Sequence, residues 1–289
     1  MKQINQFINE YIVKKKLDKP IDSTTPILYT PSTINDLKDI IINLINDEKI
    51  DLNCIDVSNI KSMQALFSEI SYKVDIDDID IHEWDVSNVE NMDYMFFGCE
   101  NINCNLNSWD VSNVKSMKGM FQDCEKFEAK GIKNWNVSNV EDMSGMFINC
   151  VNLNSDFSSW NVSNVKYMDN MFNGCTKFEG KGLDKWDVSK VKNMKYMFSN
   201  CENFDCNLSN WNVSNVENMS KMFYYCSNFK GNGLENWDVS NVKYMCYMFQ
   251  YCENFDCDLS KWDVSNVIDI SWMFKDTALK NKPSWYEEE

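Results

Sequence analysis

One segment recurs eight times along this chain, and every copy begins with a tryptophan. Successive copies start 25 or 26 residues apart and read W-[D/N]-V-S-[N/K]-V, then [M/I]-x-x-M-F, then a cysteine in all but the last copy. A fixed period with fixed residue types predicts stacked structural repeats, in which each copy packs mainly on its neighbours. The eight tryptophans are Trp84, Trp109, Trp135, Trp160, Trp186, Trp211, Trp237 and Trp262.

A degenerate copy precedes the first tryptophan, with Ile55 in its place and the motif continuing through Val57, Ser58 and Met63. We therefore predict three regions. Residues 1–50 form a helical N-terminal cap, residues 51–279 form a solenoid of nine repeats, and residues 280–289 form a C-terminal cap or tail. The longer connections between copies carry glycine pairs such as Gly180 and Gly182, which predict backbone with positive φ.

The first 50 residues lie outside the repeat and contain two helix signals. Apolar spacing over residues 4–12 predicts a short amphipathic helix. Thr33 followed by Asp36 predicts an N-terminal capping box, and the apolar stripe after it predicts a second helix. We expect this segment to cover the exposed end of the first repeat. The alternative is a docking or oligomerisation helix.

The cysteines favour a reduced, buried ladder over a disulfide scaffold. The chain has 12 cysteines, and seven of them occupy one repeat position, 15 residues after the tryptophan. An odd number in one column does not pair internally, and buried cysteine behaves as a small hydrophobe. Zinc is disfavoured because the chain has no CxxC motif and one histidine, His82.

The charge balance restricts the partner classes. The net charge is −16, and all 28 basic residues are lysine, without arginine. Nucleic acids and anionic membrane surfaces attract basic patches, so neither is expected to bind. A protein partner, favoured electrostatically if it is basic, is the expectation. The chain shows no signal peptide and no run of about 20 apolar residues, so we expect a cytoplasmic location, or host cytoplasm or a virion for a viral protein.

Two repeat columns are candidate sites. Asp or Asn follows every tryptophan, and stacked carboxylates could bind calcium, although a corner role in which these side chains hydrogen-bond nearby backbone is favoured. Aromatic residues cluster at variable positions in the C-terminal half, where incidental packing over the helical side is the favoured interpretation and protein recognition is the functional hypothesis. The protein-binding candidates are Tyr224, Tyr225, Tyr247, Tyr251 and Trp272.

Other signals for chemistry are weak. Lys190 is the one break in the asparagine column of the eight tryptophan-led copies, which is more typical of drift than of a site. The sequence has no phosphate-binding loop, no G-x-S-x-G motif and no cysteine beside a plausible base. We therefore expect no catalytic residue, no metal and no cofactor, and a protein that is not an enzyme.

The repeat W-D-V-S-N-V-x-x-M-x-x-M-F-x-x-C-x-x-F resembles the BspA-like leucine-rich-repeat surface protein family, whose repeat also occurs in mycoplasma lipoproteins of unknown function. The resemblance covers roughly residues 55–279. It implies a leucine-rich-repeat-like solenoid with parallel β-strands on one side and short helical turns on the other. Family members are mostly described as surface or adhesion proteins. The absence of an export signal makes the chain more similar to phage-like and viral-like members.

These observations favour a non-enzymatic protein–protein interaction scaffold, a rigid acidic repeat solenoid. The alternative from another class is a surface adhesin, or a virion or other structural component. A carbohydrate-processing enzyme that uses stacked acids and aromatic residues is a third and weaker hypothesis.

Overall fold

A computed structural model describes residues 27–46, 51–73, 76–77 and 79–287. The helix α1 spans Ile34–Asn46, and two short 3₁₀ helices span Ile132–Asn134 and Leu183–Lys185. The predicted helix over residues 4–12 lies outside the described residues. No helix in the described part of the chain is long and apolar enough to cross a membrane.

Each copy of the repeat pairs in parallel with the next. Single-residue bridges join the position seven residues after each tryptophan from copy to copy, beginning with Ser62 to Asn91 and ending with Tyr244 to Asp269. Four backbone N–H groups of each inner copy also donate to carbonyls of the following copy, as Met92 does to Ser116 at 3.0 Å. The N–H group six residues after the tryptophan donates the other way, to the preceding copy, as Lys115 does to Glu90 at 2.8 Å. Backbone hydrogen bonds therefore join neighbouring copies in both directions.

The predicted strands and helical turns are wrong in detail. The described residues of the repeat contain isolated bridges and hydrogen-bonded turns, with no strand longer than one residue. The cause is a left-handed residue, with φ between 55° and 63°, placed ten residues after every tryptophan. A residue of positive φ interrupts both an extended strand and a right-handed helix. The chain therefore advances through consecutive turns between Met and Phe.

Three ladders of side chains fill the core. The phenylalanines of M-x-x-M-F stack on one another, with ring centroids 5.0 to 5.8 Å apart. Each tryptophan donates its indole N–H to a buried carbonyl in the preceding copy, as Trp135 Nε1 does to Leu106 at 3.1 Å. Most ladder thiols also donate to a phenylalanine carbonyl one copy back, as Cys150 does to Phe121 at 3.0 Å. Packing and hydrogen bonding inside the core thus account for the phenylalanine, tryptophan and cysteine columns.

The cysteines are reduced, as the odd column predicts. All 12 are free, and the seven ladder members are buried. Burial raises the pKa of Cys99 to about 12, which keeps its thiol protonated. A protonated thiol is the form that donates to the carbonyl.

Segments on both sides of the repeat contact its core. The predicted capping box forms, because Asp36 N–H donates to Thr33 Oγ1 and Thr33 N–H donates to Asp36 Oδ2, both at 3.1 Å. Helix α1 buries Leu37 and Ile41 in the common core. At the other end Trp285 packs on Phe274, with ring centroids 6.1 Å apart.

Candidate functional site

The Asp/Asn column that follows the tryptophans forms corners. Asp110 Oδ1 accepts the N–H of Ser112 at 3.0 Å, and Asn136 Oδ1 accepts that of Ser138 at 3.2 Å. Only one acceptor oxygen is used, so Asp and Asn are interchangeable here. Among the described residues, no group of three or more His, Cys, Asp or Glu is placed to hold a metal ion. The column thus has a structural role in every copy from Trp84 onward.

The asparagine column beside it joins the corners. Asn113 Nδ2 donates to the carbonyl of Ser87 in the preceding copy at 2.7 Å, and the other asparagines from Asn88 onward repeat the bond. At the break in the column, Lys190 Nζ instead donates to Asn164 Oδ1 at 2.7 Å. Lys190 therefore preserves the link between copies by another route.

Two left-handed positions in each tryptophan-led copy carry four of the five aromatic candidates, all except Tyr224. The first lies ten residues after the tryptophan and the second lies fourteen residues after it. The N-terminal copies fill the second position with residues that tolerate positive φ, such as Gly98, Asn149 and Gly174. The C-terminal copies place Tyr225 and Tyr251 there, with φ of 60° and 62°. A tyrosine at this position costs backbone energy that the preceding copies avoid.

Three of the predicted residues form one cluster, which we call the tyrosine cluster: Tyr224, Tyr225 and Tyr251. The rings of Tyr225 and Tyr251 stack with centroids 4.2 Å apart, and Tyr224 meets Tyr225 edge-on at 4.6 Å. Tyr225 is 42% exposed, so the cluster lies at the surface. Offset-stacked and edge-on pairs are the favourable geometries for aromatic rings. The cluster is therefore a preorganised aromatic platform.

Tyr247 joins this platform through a lysine. Lys221 Nζ lies 4.9 Å from the ring centroid of Tyr247 and 5.3 Å from those of Tyr196 and Tyr224. These distances are within the range of cation–π attraction. Lys221 and Tyr196 were missed as site residues by the sequence analysis. The signal was available, because Tyr196, Lys221 and Tyr247 occupy the same position in three successive copies.

Trp272 lies apart from the other four candidates. It occupies the first left-handed position of the last copy, is 40% exposed, and carries Lys275 Nζ at 4.3 Å from its ring centroid. Within the described residues its ring makes no aromatic contact with the tyrosine cluster. Four of the five predicted residues therefore form one platform, which consists of the tyrosine cluster and Tyr247, joined to it through Lys221. The fifth, Trp272, lies beside this platform. We call these five residues the aromatic face.

The side chains of the aromatic face are uncharged, and their rings can bind cations. Partial burial, reinforced by neighbouring phenols, raises the pKa of Tyr224 and Tyr225, so both hydroxyls stay protonated at neutral pH. Protonated tyrosine offers an apolar ring and a hydroxyl that both donates and accepts. Lysine already lies over the rings of Tyr247 and Trp272. The arrangement suits contact with cationic and apolar side chains.

A separate open groove lies beside the glycine pair of a long connection. It has a volume of about 520 Å³ and is lined by charged and amide side chains, including Lys181, Asp205 and Asn210. A similar groove recurs two copies later beside Gly231. The repetition indicates that these grooves come from the two-copy period of the repeat rather than from one specialised site.

Comparison with known proteins gives one family. A family model described as "Mycoplasma protein of unknown function, DUF285" matches residues 35–130, 127–232 and 206–286. No curated protein matches the chain. Among solved structures, the chain is similar to a leucine-rich repeat protein from Eubacterium ventriosum ATCC 27560, with 12% identity, a TM-score of 0.36 and coverage of 83% of this chain. The chain spans 65% of that protein's length.

Proposed function

The chain belongs to the family described as Mycoplasma protein of unknown function, DUF285, and we propose that it acts as a non-enzymatic protein–protein interaction scaffold. Membership confirms the resemblance that the W-D-V-S-N-V repeat predicts. In our proposal the copies form a leucine-rich-repeat-like solenoid, helix α1 covers its first copy, and the aromatic face binds a protein partner. The partner contributes basic and apolar side chains to this face.

The observation that carries the proposal is the placement of tyrosine at left-handed positions. A residue other than glycine, asparagine or aspartate in this conformation costs roughly 1–2 kcal/mol. Preceding copies fill the position of Tyr225 and Tyr251 with Asn200 and Gly174. Strained residues that cluster at one surface are typical of functional sites. Tyrosine and tryptophan are also the side chains enriched at the centres of protein interfaces.

Charge supports a basic partner. The chain carries a net charge of −16, which steers cationic surfaces toward it. The chain's own lysines lie over the rings of Tyr247 and Trp272, so the faces of these rings attract cations. A partner lysine or arginine would find the same contact on Tyr225, which is 42% exposed.

The test is affinity capture from a lysate of the source organism with paired variants. Tyr225→Asn and Tyr251→Gly replace each ring with a residue that the same position carries in other copies. Relief of the left-handed strain, roughly 1–2 kcal/mol for each residue, offsets the lost ring contacts of about 0.5–1.5 kcal/mol. The variant should therefore keep its fold.

Tyr94→Gly serves as the matched control, because Gly119 occupies that position in the next copy. The proposal expects a protein enriched by the wild type and by the control, and lost in the double variant. Equal enrichment by all three proteins would remove the aromatic face as the binding site. No enrichment by any of them would turn attention to a structural role for the repeat.

A further inference from the structure

The left-handed column that carries Tyr225 and Tyr251 ends on a carboxylate. Its last member is Asp276, fourteen residues after Trp262, with φ of 58°. Asp276 is exposed. Its charge reaches the tyrosine cluster, because burial first, and then the neighbouring phenols and this carboxylate, raise the pKa of Tyr225. A negative charge therefore lies near the stacked rings at the same surface.

Members of this column contact one another in successive copies. Asn149 Nδ2 donates to Asp123 Oδ1 at 2.7 Å, and the rings of Tyr225 and Tyr251 stack with centroids 4.2 Å apart. The carboxylate of Asp123 thus has an amide partner from the following copy. Asp276 is the last member of the column, and its carboxylate makes no hydrogen bond or ion pair with any residue that the structure describes.

The chain's own lysines leave these two rings without a cation. Lysine ammonium groups lie over three other rings of the aromatic face, as Lys275 does over Trp272 at 4.3 Å from the centroid. No described lysine lies over Tyr225 or Tyr251. Lys275 is next to Asp276 in the chain, yet its ammonium lies on the indole and not on the carboxylate. Two stacked rings and one carboxylate are thus left for a cation from another molecule.

We propose that this site binds the guanidinium group of an arginine on the partner protein. The guanidinium stacks on the rings of Tyr225 and Tyr251 while its N–H groups donate to the carboxylate of Asp276. Arginine suits both contacts at once, because it is planar and presents five donors in a fixed fork. The ammonium of lysine is a compact, strongly hydrated point charge and matches a ring beside a carboxylate less well. This inference rests on the proposed function of the aromatic face and names the side chain that the face selects.

The composition of the chain determines where the arginine comes from. All 28 basic residues of this chain are lysine, so a second copy of the chain does not supply a guanidinium. The net charge of −16 steers a basic segment toward the chain. The occupant is therefore a different protein that exposes an arginine.

The test is an NMR titration of the full chain with isotope-labelled tyrosine rings. The probes are the peptide acetyl-Gly-Ser-Arg-Ser-Gly-amide and its lysine counterpart, each added to roughly 10 mM. We expect the arginine peptide to shift the ring signals of Tyr225 and Tyr251, and the lysine peptide to bind about two- to fivefold more weakly. Equal binding of the two peptides, or no shift of either ring, would overturn the arginine site.

Two aspartate variants separate this contact from attraction by overall charge. Asp276→Asn should weaken binding of the arginine peptide by about two- to fivefold, the range of exposed ion pairs. Asp123→Asn is the matched control, because it removes the same charge from an earlier member of the column and keeps an acceptor for Asn149. Asparagine tolerates the left-handed conformation, so both variants should fold. Equal weakening by both variants would overturn the arginine site.

Failure of this inference can be told apart from failure of the proposed function. A captured partner that is lost in the Tyr225→Asn, Tyr251→Gly variant but retained by Asp276→Asn, and not displaced by the arginine peptide, would keep the aromatic face and overturn the arginine site. Absence of any captured partner, together with the expected titration, would keep the arginine site and overturn the scaffold.

Discussion

The indole Nε1 of Trp285 donates a hydrogen bond to the backbone carbonyl of Leu259 at 3.1 Å. The repeat tryptophans make the same bond, since Trp262 Nε1 donates to Leu234 at 2.8 Å. Leu259 bears the same relation to Trp262 as Leu234 bears to Trp237, three residues before it. The tail therefore supplies the donor that a further copy of the repeat would supply.

Replacing Trp285 with phenylalanine tests this relationship. The ring packing on Phe274 is largely kept, while the bond to Leu259 is lost. We expect the free energy of unfolding to fall by about 1 kcal/mol, the typical net worth of such a bond. Trp135→Phe is the matched inner variant. It leaves the fully buried carbonyl of Leu106 without its donor, at a cost of up to about 3 kcal/mol. Chemical denaturation that finds Trp285→Phe as stable as the wild type would contradict the role of the tail.

Gly182 should resist substitution more strongly than Gly98. Both have positive φ, so alanine at either position costs roughly 1–2 kcal/mol. A Cβ at Gly182 would also lie 2.3 Å from the backbone nitrogen of Ser158, whereas a Cβ at Gly98 meets nothing within 4 Å. We expect Gly182→Ala to cost at least about 1 kcal/mol more than Gly98→Ala, as overpacking does. Equal melting temperatures for the two variants would show that the close approach is not needed.

Much of this architecture can be predicted from sequence because fixed residues repeat at a fixed period. The burial of the tryptophan, methionine, phenylalanine and cysteine columns follows from that period, as does the capping box at Thr33 and Asp36. The corner role of the Asp/Asn column follows from side-chain chemistry. Most of these inferences depend on repeat positions at which the same residue type occurs in nearly every copy.

The left-handed positions were harder to predict because their residue types vary. Gly119, Gly145 and Asn170 signal positive φ at the first position, but Tyr94 and Tyr196 hide the signal in neighbouring copies. Without it, the sequence predicts strands and helical turns instead of consecutive turns.

The corner carboxylates should govern acid stability. Hydrogen bonds from the serine two residues on, first from its side chain and then from its backbone, lower the pKa of Asp110, Asp187, Asp238 and Asp263 below the ordinary 3.8. A lowered pKa in the folded state gives stability that is present above about pH 4 and is lost as the pH falls through the lowered value.

Converting all four residues to asparagine should therefore reduce the loss of stability that the protein shows as the pH falls below about 4. Asn136 makes the same corner bond, so we expect the variant to match the wild type near neutral pH. Melting temperatures across the acid range would check this. The prediction fails if the variant loses as much stability on acidification as the wild type does.

Thiol reactivity should follow the burial of the cysteines. Burial raises the pKa of Cys206 and Cys257 to about 11 and that of the ladder member Cys124 further still. Cys206 and Cys257 are only partly buried, whereas Cys124 is fully buried. Alkylation of the native protein near pH 8, followed by mass spectrometry, should modify Cys206 and Cys257 before Cys124, because reaction needs an accessible thiolate. Equal rates in the native state would contradict the buried ladder, and the denatured protein supplies the control.

The proposed interaction face is tested most directly by site-specific photocrosslinking in a lysate of the source organism. A photoreactive phenylalanine analogue replaces Tyr225 in one protein and Asp123, the same left-handed position of an earlier copy, in another. We predict a discrete crosslinked partner at position 225 that is absent at position 123. No crosslink at 225, or the same products at both positions, would contradict an interaction site on the aromatic face.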